Sequence, residues 1–498
     1  MKNKLINILI VSSIIVLSIL LVFIEGIGDL DELWQYNFAN NISKGLVPYK
    51  DFNIITTPLF SFMAAIFLKL IFNQLLVMRL FNTVIFSCIL FLIYKIFRLL
   101  KINKIMSYVF VLTAYFLFYY DLGVEYNYLI LIISLLSLYF ELKNTEKHGI
   151  FNIKNDFILG VLIGLSIITK HSIGIILSIT FIFYKLIFIK KTEDYKMIKR
   201  IIIYRGVGVL IPSLILVLYL ILNNALYDFI NYSILGISEF NNRVPYLKLL
   251  YNHNKLIAFF AFVTPINLIS IIGLMKFRNN NKFTKVLILL IYSIALFIGI
   301  FPIANSGHFI IYGMIGVIST LYCFYLIITK TITNKKIKIY IYNFTRFFII
   351  FFISTYIIIN IINLINYYKN NNISTNELEH YYGIVINKSI IEDIKRVNNF
   401  IITEREKGNK VIILDSSAVL YMNPINVYNK DKDMFNKGNI GKNGESRLIK
   451  EISENEDNIY LILNDSYPKN WQTPLNIIDF VKSNKTKTEE IGRFDIYK

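Results

Sequence analysis

Residues 157–189 read FILGVLIGLSIITKHSIGIILSITFIFYKLIFI, a stretch of 33 residues that is almost wholly apolar. As a single α-helix it would be about 50 Å long, whereas the hydrocarbon core of a bilayer is about 30 Å thick. Basic clusters lie on both sides of the stretch, so both of its ends are expected on the same face of a membrane. The sequence therefore predicts a helical hairpin of two short spans, with its tip at Lys170-His171 on the opposite face.

The composition extends this prediction to most of the chain. Of the 498 residues, 55% are hydrophobic and only 17% are charged, against roughly 45–50% and about 25% in soluble domains. We therefore expect a mainly α-helical, polytopic membrane protein. The two cysteines, Cys88 and Cys323, lie in apolar runs, so neither a disulfide framework nor a cysteine metal site is predicted.

The net charge of +19 indicates membrane topology. From Lys369 onward 19 bases balance 19 acids, so the whole excess belongs to residues 1–366. There the bases lie in short loops between apolar runs and not on the face of a folded domain, so we expect no nucleic-acid partner. By the positive-inside rule, six clusters are predicted to be cytoplasmic: Lys2/Lys4, Lys95–Lys104, Lys143–Lys154, Lys185–Arg200, Lys276–Lys285 and Lys330–Lys338.

Alternation between the two faces decides how many segments cross the membrane. Residues 54–98 must end in the cytoplasm, so only 79–98 is predicted to cross, and 57–73 is predicted to lie on the outer surface as an interfacial helix. Residues 5–24 form an uncleaved first span. We expect about eleven spans, with the N-terminus inside and the C-terminus outside: 5–24, 79–98, 105–120, 127–142, the two arms of 157–189, 201–222, 256–275, 286–302, 308–328 and 345–366.

The chain is expected to form two domains. Residues 1–366 form the transmembrane domain, with a first outer loop at 25–78, and residues 367–498 form an extracytoplasmic domain of soluble composition. Apolar residues at helical spacing in 389–406 predict a helix, and the apolar runs 411–414 and 459–463 are typical of strands. The second domain is therefore predicted to be a small α/β domain.

Carboxylates are concentrated in two predicted outer loops. Seven of the 14 acids in residues 1–366 lie there, and at such a surface they can act as bases, as metal ligands or simply as solvated charges. The first loop holds Glu25, Asp29, Asp31, Glu32 and Asp51, and the second holds Asp121 and Glu125.

The pair Asp31-Glu32, directly after the first span, belongs to a wider pattern that resembles GT-C glycosyltransferases. The pattern is similar to that of protein O-mannosyltransferases and of the aminoarabinose transferases that modify lipid A. It consists of Asp31-Glu32, Tyr36, Ala39, Gly45, Pro48–Asn53, Thr57-Pro58-Leu59, Gly164–Lys170 and Phe301–His308.

This resemblance implies a multi-pass enzyme of the plasma membrane. Its expected partners are the membrane lipids, a polyprenyl-phosphate sugar as donor, and an envelope acceptor of unknown identity to which the sugar is transferred, with inversion, at the outer face. One departure concerns the loop lysine with which the aminoarabinose transferases bind phosphate. Their Lys-Pro-Pro is replaced here by Thr57 and a single Pro58, and Lys50 is the substitute that the loop offers.

Six further residues receive roles from the chemistry of such a transfer. A carboxylate that accepts the acceptor's proton typically accelerates a reaction by about 10²–10⁴, and Asp31 is the candidate base, with Glu32 orienting a partner or capping the following helix. The leaving lipid phosphate needs fixed donors, for which Lys170 and His308 are candidates, although a snorkelling lysine and an interfacial histidine are the ordinary alternatives. Glu125 and Asp121 are expected to bind substrate or shape the site.

Metal binding and function each leave an alternative. Glu125 or Asp121 can join Asp31 around a divalent cation, but the pattern defines no ligand set, so we predict no metal site. A secondary transporter would place ionisable groups near the bilayer midplane and often carries internal repeats. A polysaccharide polymerase or ligase would use a diphosphate-linked donor.

Overall fold

The computed structural model describes most of the chain. The described residues are 2–23, 27, 30–118, 125–147, 153–186, 192–239, 243–274, 281–331, isolated helical positions between 339 and 365, and, in the C-terminal part, 373–374, 376–427, 429–430, 435, 439–454, 458–464 and 474–498.

The membrane part is helical in these residues. Its α-helices are α1 (Lys2–Phe23), α2 (Leu30–Ser43), α3 (Leu59–Leu70), α4 (Leu75–Leu99), α5 (Lys104–Phe118), α6 (Tyr126–Lys147), α7 (Ile153–Ile167), α8 (His171–Leu186), α9 (Thr192–Leu222), α10 (Leu226–Phe229), α11 (Leu247–Leu250), α12 (Lys255–Leu274), α13 (Asn281–Phe297), α14 (Ser306–Tyr312) and α15 (Met314–Thr331). A π-helical turn covers Ile230–Leu235, and 3₁₀ turns cover Gly236–Glu239 and Ile298–Ile300.

Within the described residues, four helices are long and apolar enough to span a membrane: Leu75–Leu99, Tyr126–Thr145, Ile198–Leu222 and Lys255–Ile272. The pair Ser306–Tyr312 and Met314–Thr329, bent by 63°, makes a fifth if it counts as one span. The predicted span 308–328 is therefore not straight, and its bend lies at Gly313, a residue type commonly found at kinks. These helices agree with a multi-pass membrane protein, while the count of eleven spans and their orientation stay predictions.

Both stretches that were ambiguous by hydropathy are divided as predicted. Residues 157–189 begin as α7, turn at Ile168–Lys170 and continue as α8, so they do not form one long helix. Residues 57–73 contain α3, which ends well before α4 begins at Leu75. Their positions relative to a bilayer stay predictions.

Glycines let α7 and α9 pack closely side by side. A Cβ built on Gly164 would lie 2.7 Å from the carbonyl oxygen of Val209, and one built on Gly208 would lie 2.5 Å from that of Phe157. Since Gly160 faces Arg205 and Gly164 faces Val209, the two helices run parallel. Small residues permit this backbone approach. The glycines therefore fix the position of α7 along α9, and with it the position of the turn that follows α7.

The C-terminal part contains a small mixed sheet with helices, as the sequence predicts. Its four strands lie in the order β3-β4-β6-β5. Strands β3 and β4 are parallel, whereas β6 pairs antiparallel with both β4 and β5. The elements are β1 (Ile373–Ser374), β2 (Ile386–Asn387), α16 (Lys388–Glu406), β3 (Lys410–Ile413), α17 (Ala418–Met422), α18 (Gly444–Glu454), β4 (Asn458–Leu463), α19 (Leu475–Asn484), β5 (Lys487–Ile491) and β6 (Phe494–Tyr497).

Helix α2 is held between the membrane part and this C-terminal part. Two of its buried side chains form hydrogen bonds with residues far away in the chain, as most buried polar groups do. The Trp34 indole donates to the Ser416 carbonyl at 3.1 Å, and the Asn37 amide donates to Asn423 Oδ1 at 2.8 Å. One hydrophobic core runs through both parts. The predicted boundary at 366/367 lies outside the described residues and stays a prediction.

Candidate functional site

Lys170 lies at the α7–α8 turn and is the centre of a polar cluster. Its Nζ donates to Tyr312 Oη at 2.7 Å and to Asn127 Oδ1 at 3.1 Å. The same ammonium lies 4.9 Å from the ring centroid of Tyr312 and 5.4 Å from that of Tyr126. A cation this close to two aromatic faces is attracted by both rings. We call Tyr126, Asn127, Lys170 and Tyr312, together with Glu125, the Lys170 cluster.

Glu125 joins this cluster through the amide of Asn127. Asn127 Nδ2 donates to Glu125 Oε2 at 2.6 Å, so the amide oxygen is left for Lys170. Burial lowers the pKa of Lys170 to about 8, and the negative charge of Glu125 opposes that shift. The amine is therefore still mostly protonated at neutral pH, yet it titrates far below an ordinary lysine.

The first outer loop supports the turn that carries Lys170. The Thr57 hydroxyl donates to the carbonyl of Ile167 at 3.1 Å, and the Leu59 N–H donates to that of Ile168 at 3.1 Å. These bonds satisfy carbonyls at the end of α7, which have no partner within that helix. The motif Thr57-Pro58-Leu59 thus helps to position Lys170.

Asp31 lies in the first turn of α2, where a carboxylate is favoured by the helix dipole. Its side chain is exposed. Asp31 and Glu125 both lie within electrostatic range of the Tyr126 hydroxyl. Direct contacts therefore join Glu125 and Lys170 in the cluster, whereas Asp31 is linked to Tyr126 by its charge.

Glu32 has a different role from the predicted base. Its two carboxylate oxygens accept from the Arg79 guanidinium, Nε to Oε1 at 2.8 Å and Nη2 to Oε2 at 2.8 Å, and both side chains are buried. Such a bidentate pair fixes geometry and withholds the carboxylate from a substrate. In the structure Glu32 fastens α2 to α4, and the partner that it orients is Arg79. Its predicted place among the catalytic residues stays a prediction.

His308 lies beside the Lys170 cluster on α14. Asn305 caps this helix by accepting from the His308 N–H at 2.9 Å, and its Oδ1 also lies 2.8 Å from His308 Nδ1. The imidazole ring centroid is 5.9 Å from that of Tyr312, and the charge of Lys170 acts on it. The cluster thus includes the predicted histidine as a neighbour.

The contacts of the described residues do not bring the predicted site residue Lys50 to the cluster. Lys50 is exposed on the turn that follows Tyr49, and no hydrogen bond or ion pair of the described residues joins it to Lys170. Asp121 lies outside the described residues. Among the residues that are described, no three His, Cys, Asp or Glu side chains are grouped as a metal site.

Sequence reasoning missed the neutral members of the cluster. Asn127 and Tyr312 are buried and bind Lys170 directly, and Tyr126 is close to both carboxylates. A weak signal was present, because Tyr126 and Asn127 follow Glu125 directly. Tyr312 lies four residues after His308, which puts both on one helix face.

Two comparisons with known proteins find matches. Residues 56–223 match the family model of the dolichyl-phosphate-mannose-protein mannosyltransferases. The structure as a whole is similar to the crystal structure of the Archaeoglobus fulgidus oligosaccharyltransferase in complex with Zn and sulfate, with a TM-score of 0.51 at 10% identity over 91% of this chain and 68% of that chain. The chain has a GT-C fold. The predicted resemblance to the GT-C glycosyltransferases is thereby confirmed.

The family match covers only part of the candidate site. Glu125, Asn127 and Lys170 lie within residues 56–223, whereas Asp31 and His308 lie outside them. No curated protein matches the chain.

Proposed function

We propose that this GT-C protein is an inverting glycosyltransferase that moves a sugar from a polyprenyl phosphate to an envelope acceptor at the outer membrane face. The observation that carries the proposal is the cluster in which Asn127 contacts both Glu125 and Lys170 beside Tyr126. The charge of the exposed Asp31 also acts on the Tyr126 hydroxyl, which supports placing the base nearby. A transferase of this kind needs a base and a phosphate-binding cation within one substrate's reach. The match to mannosyltransferases that act from a dolichyl phosphate supports the donor class.

Asp31 acts as the general base. The acceptor oxygen attacks the anomeric carbon and forms the new glycosidic bond, while the bond from that carbon to the phosphate oxygen breaks on the opposite face. The hydroxyl proton passes to the Asp31 carboxylate, and the electron pair leaves with the polyprenyl phosphate. The exposure of Asp31 supports this role, because an acceptor can reach it from solvent.

Lys170 binds the phosphate of the donor and stabilises it as it leaves. Its ammonium is preorganised by the Tyr312 hydroxyl and the Asn127 carbonyl, so it does not need to be reoriented during the reaction. Glu125 keeps the Asn127 amide turned toward Lys170. The His308 Nδ1–H donates to Asn305 Oδ1, so its Nε2 donates to the same phosphate only when the ring is protonated. Lys50 stays a candidate for more distant contacts.

The role of a divalent cation is left outside this mechanism. The similar oligosaccharyltransferase was crystallised with Zn, and Asp31 and Glu125 supply oxygen atoms of the type that hard cations prefer. An ion such as Mg²⁺ is often bound by one or two carboxylates, with water and substrate phosphate as its other ligands. Asp31 and Glu125 would be the residues to hold it, and no step is assigned to a metal.

The test separates the base from the phosphate ligand. In purified protein, Asp31→Asn should lower sugar transfer by at least about 10² while binding of polyprenyl phosphate stays within twofold. Lys170→Ala should weaken that binding at least tenfold. Envelope glycans should change in cells whose only copy carries either substitution, and Lys248→Ala on the exposed α11 is the matched control. Normal glycans in Asp31→Asn cells would refute the proposed chemistry.

A further inference from the structure

A groove between α7 and α9 lies far from the Lys170 cluster. It has a volume of about 450 Å³, which is within the range of small-molecule sites. Phe157 and Ile158 of α7 and Ile203, Tyr204 and Val207 of α9 line it, with Lys154 as its charged member. Along α7, Lys154 precedes Lys170 by about 24 Å at the rise of a helix, so the groove and the Lys170 cluster are separate sites.

The walls of the groove face the surroundings of the helix bundle. Ile158 is 41% exposed, Ile203 54% and Val207 45%. These residues of α9 belong to Ile198–Leu222, one of the helices suited to span a membrane. Apolar side chains exposed at that level contact lipid, so the occupant of the groove comes from the bilayer.

Basic residues surround one end of the groove. Because Gly160 faces Arg205 and Gly164 faces Val209 at the same spacing, Lys154 is level with Lys199 across the two parallel helices. Lys199 and Arg200 are exposed and lie one helical turn before Ile203 and Tyr204. The segment 185–200 carries six bases against two acids, Glu193 and Asp194.

The nearest described acids are engaged elsewhere. The Asp156 carboxylate is paired with the Arg205 guanidinium in the helix interface, and Glu141 lies 3.6 Å from the same guanidinium. This buried group carries a formal net charge of −1, from one guanidinium and two carboxylates, against the +3 of the three basic residues at the entrance. The entrance of the groove is thus left with the positive charge of Lys154, Lys199 and Arg200.

Gly206 adds a recess beside the groove. It lies three residues after Ile203 on the same helix, it is exposed, and a Cβ built on it would meet no described atom within 4 Å. Close packing explains the glycine at position 208, where a Cβ would meet the Phe157 carbonyl. It does not explain the glycine at position 206, where a Cβ would meet no described atom. A missing side chain on a lipid-facing surface leaves room for a ligand to approach the backbone.

We propose that the α7–α9 groove binds one phospholipid with an anionic headgroup, from the leaflet on the side of Lys154. An acyl chain lies along Phe157, Tyr204 and Val207, and the phosphate lies between Lys154 and Lys199. This is a site for a structural lipid, and it is independent of the donor site that Lys170 serves.

Tryptophan quenching by brominated lipids tests the proposal on the full-length protein. Tyr204→Trp places a reporter in the groove, and Ile215→Trp, 64% exposed three turns further along α9, is the matched reporter outside it. Each is measured in vesicles with dibrominated phosphatidylglycerol or dibrominated phosphatidylcholine, and the signal of the parent protein with Trp34 and Trp471 is subtracted. We expect the phosphatidylglycerol to quench the reporter at 204 at about tenfold lower membrane content than the phosphatidylcholine does. The reporter at 215 should be quenched equally by both lipids.

Two further variants identify the source of this preference. Replacing Lys154, Lys199 and Arg200 by Gln should abolish it, whereas Lys248→Gln with Lys255→Gln should leave it unchanged. Val207→Phe keeps every charge but fills the groove, and it should also abolish the preference. Equal quenching by the two lipids at position 204, or a preference that survives the triple replacement, would show ordinary boundary lipid and overturn the proposal.

Discussion

The chemistry of Lys170 is set by its immediate neighbours. Asn127 and Tyr312 fix the position of its ammonium, and burial brings its pKa to about 8. An ordinary lysine titrates near 10.4 and stays charged through the physiological range. Here a modest rise in pH removes the charge on which binding of a phosphate depends.

Binding of polyprenyl phosphate should therefore weaken about tenfold between pH 7 and pH 9, as the charged fraction of Lys170 falls. The contribution of Lys170 to the free energy of unfolding changes in the opposite sense and rises with pH. The pKa in the folded state lies below the unfolded value, so the cost of burying the charge is full below pH 8 and is relieved as pH rises toward 10.4. Through this contribution the folded state is more stable at pH 9 than at pH 7, so unfolding does not explain a loss of binding over this range.

The control is Lys170→Arg, because arginine stays charged throughout this range. Its affinity should be flat between pH 7 and pH 9, measured by titration calorimetry in detergent. A parallel decline in the variant would show that another group titrates.

The buried pair of Glu32 and Arg79 gives a second prediction at the residue scale. Glu32→Ala leaves the guanidinium without its carboxylate and should lower the free energy of unfolding by about 3–5 kcal/mol. Replacing both, as Glu32→Leu with Arg79→Met, should recover most of that loss. Thermal unfolding in detergent measures both. A Glu32→Ala protein of normal stability but without activity would contradict this structural role and support the predicted catalytic one.

At the scale of elements, the close packing of α7 against α9 determines where Lys170 lies. Two glycines on α9 make a matched pair for testing it. Gly208→Ala would place its Cβ 2.5 Å from the Phe157 carbonyl and should force the helices apart, while Gly206→Ala meets no described atom within 4 Å.

We expect Gly208→Ala to destabilise the protein by about 1–3 kcal/mol through overpacking and to weaken binding of polyprenyl phosphate by displacing Lys170. Gly206→Ala should be neutral or stabilising by up to about 1 kcal/mol, since alanine is the better helix former. Thermal unfolding and affinity are the measurements. Equal effects of the two changes would argue against the close packing.

The helical hairpin was predictable because a simple length argument decided it, whereas the bend at Gly313 was not. Residues 157–189 exceed the thickness of a bilayer, so they had to be divided. Residues 308–328 fit that thickness, and a single glycine inside an apolar run does not show whether the chain bends there. The charged members of the site were also predictable, since a buried or clustered charge is rare and conspicuous.

The neutral members of the site and the true partner of Glu32 depend on tertiary contacts. Tyr312 lies 142 residues from Lys170, and Arg79 lies 47 residues from Glu32. Tyrosines are common in this chain, with 34 in all, so the residue type singled out none of them. Composition and spacing reveal local periodicity, whereas these contacts follow from how the helices pack.

At the scale of the whole molecule, membrane topology is open to a direct test. Cysteines placed at Ser306 and Lys335, in a background with Cys88→Ser and Cys323→Ser, should react differently with an impermeant maleimide. The first should be labelled in intact cells and the second only after permeabilisation, because one span is predicted to separate them. Labelling of both from one side would refute the predicted alternation.

The contacts of α2 with residues 416–426 join the beginning of the chain to its end. Asn37 meets Asn423, 386 residues later, so the ribosome completes α2 long before the partners of its amides exist. Until residues 416–426 have been synthesised, the helix that carries Asp31 is held by Arg79 but lacks these later contacts. A product that ends before residue 416 is therefore expected to insert most of its spans and still to be inert, because its carboxylate is not fully positioned.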